Sequence, residues 1–259
     1  MKAEGRTEGG LQRLRDEISQ AWVVAVKDVR VYYFTPPMIM FGLLLPFFLF
    51  FSFSIKRQIG AAVGMARLLA LTTFFTASSA GPVIIPLERR MGTYDRLLAA
   101  PMSLMTLLLG KTMVGAFFGS AVSLVPLLIG LGALRVSLAN IPLLLMGIVL
   151  SSLAFAAFGI TFASIPTRSV GNIMMPSTLV RWPLMFISGI FIPLEEMAPW
   201  ARALAHLSPL TYAQDLMNHA VLGHGFLNPV VDLAFLLALL VLFLIPAARL
   251  HHRSRVLGR

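Results

Sequence analysis

The chain has 259 residues, of which 58% are hydrophobic and only 12% charged, and its mean hydropathy is +0.84. A soluble domain carries about 25% charged residues and needs a polar skin, so this composition excludes a freely soluble globular protein and makes the bilayer part of the solvent. The lack of cysteine excludes disulfides, thiolate metal sites and a cysteine nucleophile; the formal net charge of +10 lies beside apolar spans, where it sets topology and meets anionic lipid rather than nucleic acid.

Residues 1–10 are rich in glycine and charge, and no apolar core of a cleavable signal peptide follows them. Over 11–30, Leu11, Leu14, Ile18, Trp22, Ala25 and Val29 recur at steps of three and four, the helix period. Arg13, Arg15, Asp16, Glu17, Lys27 and Asp28 fall on the other side. The pattern predicts an amphipathic helix in the membrane interface with Trp22 at headgroup level, or a helix packed on a partner. Pro36-Pro37 ends it.

A span needs roughly 20 apolar residues. Six stretches qualify, at about 38–55, 67–87, 107–132, 141–165, 172–193 and 229–248. Pro46, Pro82, Pro126 and Pro183 fall inside them, tolerated where neighbouring helices satisfy the freed backbone. Gly115, Gly119, Ala154, Ala157 and Gly159 allow close helix approach. Fifteen Lys and Arg residues fall on one side and five on the other, which puts both termini inside. The Lys56-Arg57 pair on the outer side runs against the bias, and a re-entrant pair of the first two spans is the alternative.

Two connections are long enough to carry structure. Residues 88–106 contain Thr93 as a candidate N-cap, Asp95 in the first turn, an apolar face of Tyr94, Leu97 and Leu98, and Pro101 as a stop. They predict a short surface helix with a basic entry, or else a solvated loop whose arginines fix topology. Residues 194–228 are too polar to span and too apolar for a free loop. Trp200, Ala203, Leu204 and Leu207 share helix spacing, as do Leu210, Ala213, Leu216, Met217 and Val221 beyond Pro209. Two short helices dipping into the outer leaflet satisfy this pattern, buried in protein or lining a cavity.

Two blocks resemble the ABC-2 permease family, the membrane subunits of type-2 ABC exporters, and within it the drug- and nodulation-factor-type permeases. Glu88-Arg89-Arg90-Met91-Gly92-Thr93-Tyr94-Asp95-Arg96-Leu97-Leu98-Ala99-Ala100-Pro101, followed by Gly110-Lys111, is similar to the family's E-R-x-x-G-T-x-x-x-L-L-x-x-P block. Phe186-Ile187-Ser188-Gly189-Ile190-Phe191-Ile192-Pro193-Leu194, Pro199-Trp200 and Ser208-Pro209-Leu210-Thr211-Tyr212 are similar to its F-x-S-G-x-F-x-P-L, P-W and N-P-L-T-Y. Asn218 and Arg181 depart from the usual pattern.

The resemblance implies an all-α integral membrane fold of six transmembrane helices. An interfacial connecting helix lies in the cytoplasmic segment 1–37. The transmembrane domain is 38–248, with a coupling helix between spans 2 and 3 and re-entrant helices between spans 5 and 6, and a basic tail occupies 249–259. It implies a prokaryotic inner membrane, two copies of this chain, and two copies of a separate ATPase subunit that holds ATP and Mg. This chain would bind no cofactor and no metal, and would not be an enzyme by itself. No G-x-x-x-x-G-K-[ST] loop occurs in it.

In this reading Glu88, Arg89, Arg90, Gly92, Thr93, Arg96, Leu97 and Leu98 meet the ATPase, as an apolar ridge with a charged rim. Phe74, Phe75, Met174, Met175, Met185 and Phe186 are candidates for the substrate path, because such surfaces repack around varied apolar ligands; lipid contact or helix packing is the alternative for each. Arg181 is either a functional charge in a span or one that snorkels or pairs with serine and backbone groups. Pro193, Trp200, Pro209 and Tyr212 belong to the outer gate. The expected cargo is an amphiphilic drug or lipid, with lipid-linked polysaccharide or glycolipid second and an intramembrane enzyme or channel remote. His206, His219, His224 and Asp215 show no H-E-x-x-H spacing.

Overall fold

A computed structural model describes residue 17 and residues 19–28, 40–54, 59–100 and 102–256. The expected Pro36-Pro37 break, the Lys56-Arg57 pair and the Pro101 stop lie outside the described residues. The described chain is helical, with no strand among the described residues. In order the helices are α1 (19–28), α2 (Met40–Ser54), α3 (Ala61–Met91), α4 (Thr93–Ala99), α5 (Leu104–Leu128), α6 (Ile141–Ala163), α7 (Val170–Ile187), α8 (Pro199–Ala205), α9 (Pro209–Leu222) and α10 (Pro229–Val256). α2 opens with a π-helical turn at Met40–Leu44, and α5 runs into another at Ile129–Ala133.

Four helical stretches among the described residues are long and apolar enough to cross a membrane: Ala61–Met91, Leu104–Ala133, Ile141–Ala163 and Pro229–Arg249. α7 is 18 residues long but carries Asn172, Arg181 and two prolines, and 15 residues of α2 are described. α7 is shorter than the expected 172–193 because Gly189, at φ 89°, turns the chain in the left-handed region.

α3 is the axis of the bundle. Its apolar window is 100% buried, against 28% for α10. A central helix meets protein on all sides, so it can carry hydroxyls if they are satisfied. Thr73 donates to the Leu69 carbonyl at 2.7 Å and Ser79 to that of Phe75 at 2.6 Å. Phe74 packs edge-on against Phe155 of α6, ring centres 4.9 Å apart.

Small residues set the spacing as expected. A Cβ on Gly159 would run into the backbone of Ser78, and one on Gly115 or Gly119 would stand 2.7 Å from Ala156 or Ala77. α1 packs on the bundle through Ala21, Val24 and Ala25, with Trp22 exposed. Asp28, expected on the polar side of that helix, is fully buried.

Candidate functional site

The junction of α1, α3, α4 and α5 concentrates the charge. α3 does not stop at the expected residue 87 but runs on to Met91. Glu88, Arg89 and Arg90 are therefore its last turn, not a loop. Gly92, at φ 70°, reverses the chain and sends its N–H back to Arg89 at 3.3 Å. Thr93, the expected N-cap, is instead the first helical residue of α4; Gly92 holds the cap position and the Thr93 hydroxyl bonds the Glu88 carbonyl at 3.3 Å. Ser103 is a cap the sequence reading missed, accepting from Thr106 N–H at 3.0 Å.

Leu97 and Leu98 were expected to form an outward ridge. They pack inward instead, with Tyr94, Val24, Ile85 and Leu107, because that is the face where α4 meets the bundle. The outer face presents Met91, Asp95, Arg96 and Ala99, with Arg90 exposed beside them. Arg89 lies over the Tyr94 ring at 5.1 Å and donates to the Ile165 carbonyl, which ties in the α6–α7 turn. Burial, only partly offset by Arg89, pushes the Tyr94 phenol up to about 12.

Glu88, expected on a charged rim, is 0% exposed within the chain. It sits in a balanced cluster of two carboxylates and two ammoniums. Lys111 Nζ lies 2.6 Å from Asp28 and 2.5 Å from Glu88, and Lys27 Nζ lies 2.7 Å from Asp28 and 2.5 Å from Glu88. Gly110 makes this possible, since its Cβ would stand 2.8 Å from the Ala21 carbonyl of α1. The Gly110-Lys111 pair thus serves two needs, close approach and then charge. Burial lowers the Lys27 ammonium, but its bonds to Asp28 and Glu88 outweigh that and hold it above its ordinary value.

The second polar centre lies inside the bundle. Arg181 of α7 is fully buried. It donates to the Ser79 hydroxyl at 3.0 Å and to the Ser78 carbonyl at 2.5 Å. That carbonyl is available because its helical donor would be residue 82, which is proline. Pro46 likewise removes the donor to Gly42, whose carbonyl takes the Thr76 hydroxyl at 2.5 Å. Among the described residues no carboxylate pairs with Arg181, and its Nε has no partner. Of the two readings of this residue, pairing with serine and backbone describes its contacts, although the serines belong to α3.

Phe74, Phe75 and Met185 are wholly buried within the chain and Met174 nearly so. Met175 and Phe186 are exposed and line an open apolar groove of about 780 Å³ along α7, with Leu179 and Trp182. In the segment 194–228 the two predicted short helices appear as α8 and α9. Trp200 is exposed, whereas Tyr212 is buried, stacked on Phe235 at 3.7 Å and bonded to the His206 carbonyl at 3.0 Å. Pro209 opens α9 beside its cap Ser208, whose hydroxyl donates to Leu184 at 2.8 Å. Arg202 braces the turn after Pro193 by donating to the Leu194 carbonyl at 2.9 Å.

Residues 19–222 match the ABC-2 type transporter family. The chain belongs to that family. ABC-2 permeases are the membrane subunits of transporters, and they associate in general with an ABC ATP-binding subunit. This permease is therefore a multi-pass membrane protein. It is 33% identical over 98 residues to nodulation protein J of Neorhizobium galegae, covering 38% of this chain and 36% of that protein. It is 22% identical over 162 residues to a probable multidrug ABC transporter permease, YbhR, of Escherichia coli K12, covering 62% and 44%. To nodulation protein J of Rhizobium leguminosarum bv. trifolii it is 25% identical over 200 residues, covering 71% and 73%. The first two alignments thus span less than half the length of those relatives.

Proposed function

We propose that this chain is the membrane subunit of an ATP-driven exporter that moves an amphiphilic, drug-like or lipid substrate outward from the cytoplasm or inner leaflet. It works as a pair with a second copy and draws energy from two separate ATPase subunits. α2 and α7 join the four long helices as spans, giving six, with both termini in the cytoplasm of a prokaryotic inner membrane. The segment 1–37 connects, 38–248 spans, and 249–259 is the tail.

The observation that carries this reading is the Lys27–Asp28–Glu88–Lys111 cluster. It fuses the foot of the central helix α3 to α1 and α5, directly beside the surface helix α4. A push on the outer face of α4 is then delivered to the helices that cross the membrane, instead of being lost in a loose loop. In this reading Asp95, Arg96 and Ala99 make the contact with the ATPase, and Glu88, Leu97 and Leu98 make it rigid. The name of one relative, a probable multidrug ABC transporter permease, supports a drug-like cargo, and the groove along α7, with Trp182 and Phe186 as its aromatics, suits such cargo better than a glycan.

The test is disulfide cross-linking of single cysteines at Asp95, Arg96 or Ala99 to the partner ATPase, with ATP-dependent efflux measured in proteoliposomes. We expect cross-links at all three and none at Leu97. Cross-links confined to residues 166–168, or efflux by this chain without the ATPase, would sink the reading.

A further inference from the structure

Three metal-capable side chains meet where α9 passes the start of α10. Asp215 and His219 lie one turn apart on α9, and Asp232 lies in the first turn of α10. Their ligand-capable atoms lie within 4.8 Å of one another, and His219 Nε2 is 3.8 Å from Asp215 Oδ2. Asp215 is oriented by the backbone N–H groups of Phe226 and Leu227, each at 2.7 Å. His219 Nε2 lies 2.7 Å from the Leu227 carbonyl, to which it donates; to hold an ion through Nε2 the ring gives up that hydrogen bond and its proton.

Asp232 is different. It is 0% exposed, and neither of its oxygens has a hydrogen-bond partner among the described residues. A buried carboxylate with nothing to bind is costly, and a second carboxylate beside it adds repulsion unless a cation or a proton lies between them. Burial of that kind, with an imidazole completing the set, is the chemistry of a cation site.

We propose that Asp215, His219 and Asp232 bind one divalent transition-metal ion of the Zn²⁺ type. Two carboxylate oxygens and an imidazole nitrogen are a ligand set that Zn²⁺ accepts, at bonds of about 2.0–2.2 Å. In tetrahedral geometry two ligands of one ion stand about 3.3–3.6 Å apart, so the three groups, within 4.8 Å of one another, close by at most about 1.5 Å when the ion binds. The Leu227 carbonyl, 2.7 Å from His219 Nε2, is a further oxygen beside the set. A cavity of about 260 Å³, lined by Asp215, Gln214, Asn218 and His224, adjoins the site and gives an ion a way in. The ion would staple α9 to α10 and fix the turn at 223–228 between them.

The full chain in detergent, carrying His251→Ala and His252→Ala to remove the histidine pair of the tail, is stripped with EDTA, desalted and titrated with ZnCl₂. We expect one equivalent of zinc retained through a second desalting and a rise in Tm. Asp232→Asn and His219→Gln should each weaken zinc binding by more than about tenfold. Because Asp232→Asn removes a wholly buried charge and could alter folding, the partly exposed His219 supplies the independent variant. Failure of the parent chain to retain zinc overturns the proposal and leaves a shared proton as the occupant. Retention unchanged in both variants also overturns it, by placing the metal elsewhere.

Discussion

The two buried polar centres solve the same problem in opposite ways. At the foot of α3, two lysines face two carboxylates, and charge is cancelled by charge. Halfway along α3, Arg181 faces a hydroxyl and a carbonyl, and charge is solvated by neutral dipoles. The first arrangement is strong but fails badly if one of its wholly buried members, Asp28, Glu88 or Lys111, goes, because the survivors are left buried and unbalanced. The second relies on a carbonyl that Pro82 sets free, so it is less strong and more easily released. A cluster of the first kind suits a rigid transmitter, and a contact of the second kind suits a helix pair that must part and re-form.

The largest expected effect tests the first half of this contrast. Glu88→Ala strands Lys111 and Lys27 over a single carboxylate and should cost about 3–5 kcal/mol, read from thermal or denaturant unfolding in detergent. Adding Lys27→Met to Glu88→Gln leaves the Asp28–Lys111 pair balanced. It should recover about 0.5–3 kcal/mol as a coupling energy in a double-mutant cycle; strict additivity would mean that the cluster is not one unit.

Arg181→Met comes next. It removes the buried charge but leaves the Ser78 carbonyl unbonded, so about 1–3 kcal/mol should be lost. A loss as large as that of Glu88→Ala would erase the distinction. Gly159→Ala acts on the same contact from the other side, because its Cβ meets the Ser78 backbone. About 1–3 kcal/mol of overpacking is expected, with the Arg181 contact disturbed as well.

Lys27 offers a smaller effect. Its ammonium is raised above its ordinary value, so its contribution is fully present below about pH 10.4 and is lost as pH rises through the folded-state value. The side chain is 37% exposed, so solvent screening limits Lys27→Met to about 0–1 kcal/mol, and the difference between the two proteins should vanish in alkali. Smallest for stability is Arg96→Ala, expected within about 0.5 kcal/mol of the parent while ATP-dependent efflux falls. An unchanged efflux rate would remove Arg96 from the docking surface.

Much of the fold was legible because hydropathy and helix period are local. The long apolar stretches, the small-residue contacts of Gly115, Gly119 and Gly159, the short helix after Gly92 and the pair after Pro199 and Pro209 all follow from neighbours in the chain. The candidate sites were legible only in part. Glu88 looked like a rim residue because nothing within a few residues shows that it is buried; its partners Lys27 and Lys111 are 61 and 23 positions away. Leu97 and Leu98 form an apolar face in any reading, but periodicity cannot say whether that face looks inward or outward. Asp232 carries no signal in the sequence, because its nearness to Asp215 depends on how α9 lies against α10.

The amino-acid sequence by itself determined that the chain lives in a membrane, with four stretches long and apolar enough to cross it, and through two motif blocks which family it belongs to. These are matters of composition and spacing, which a solvent reads without knowing the fold. Tertiary structure alone decided which charges cancel, which carbonyl freed by proline meets Arg181, and which face of α4 is left outside. Those outcomes depend on contacts between residues far apart in sequence, where a few ångströms separate a buried ion pair from an exposed one.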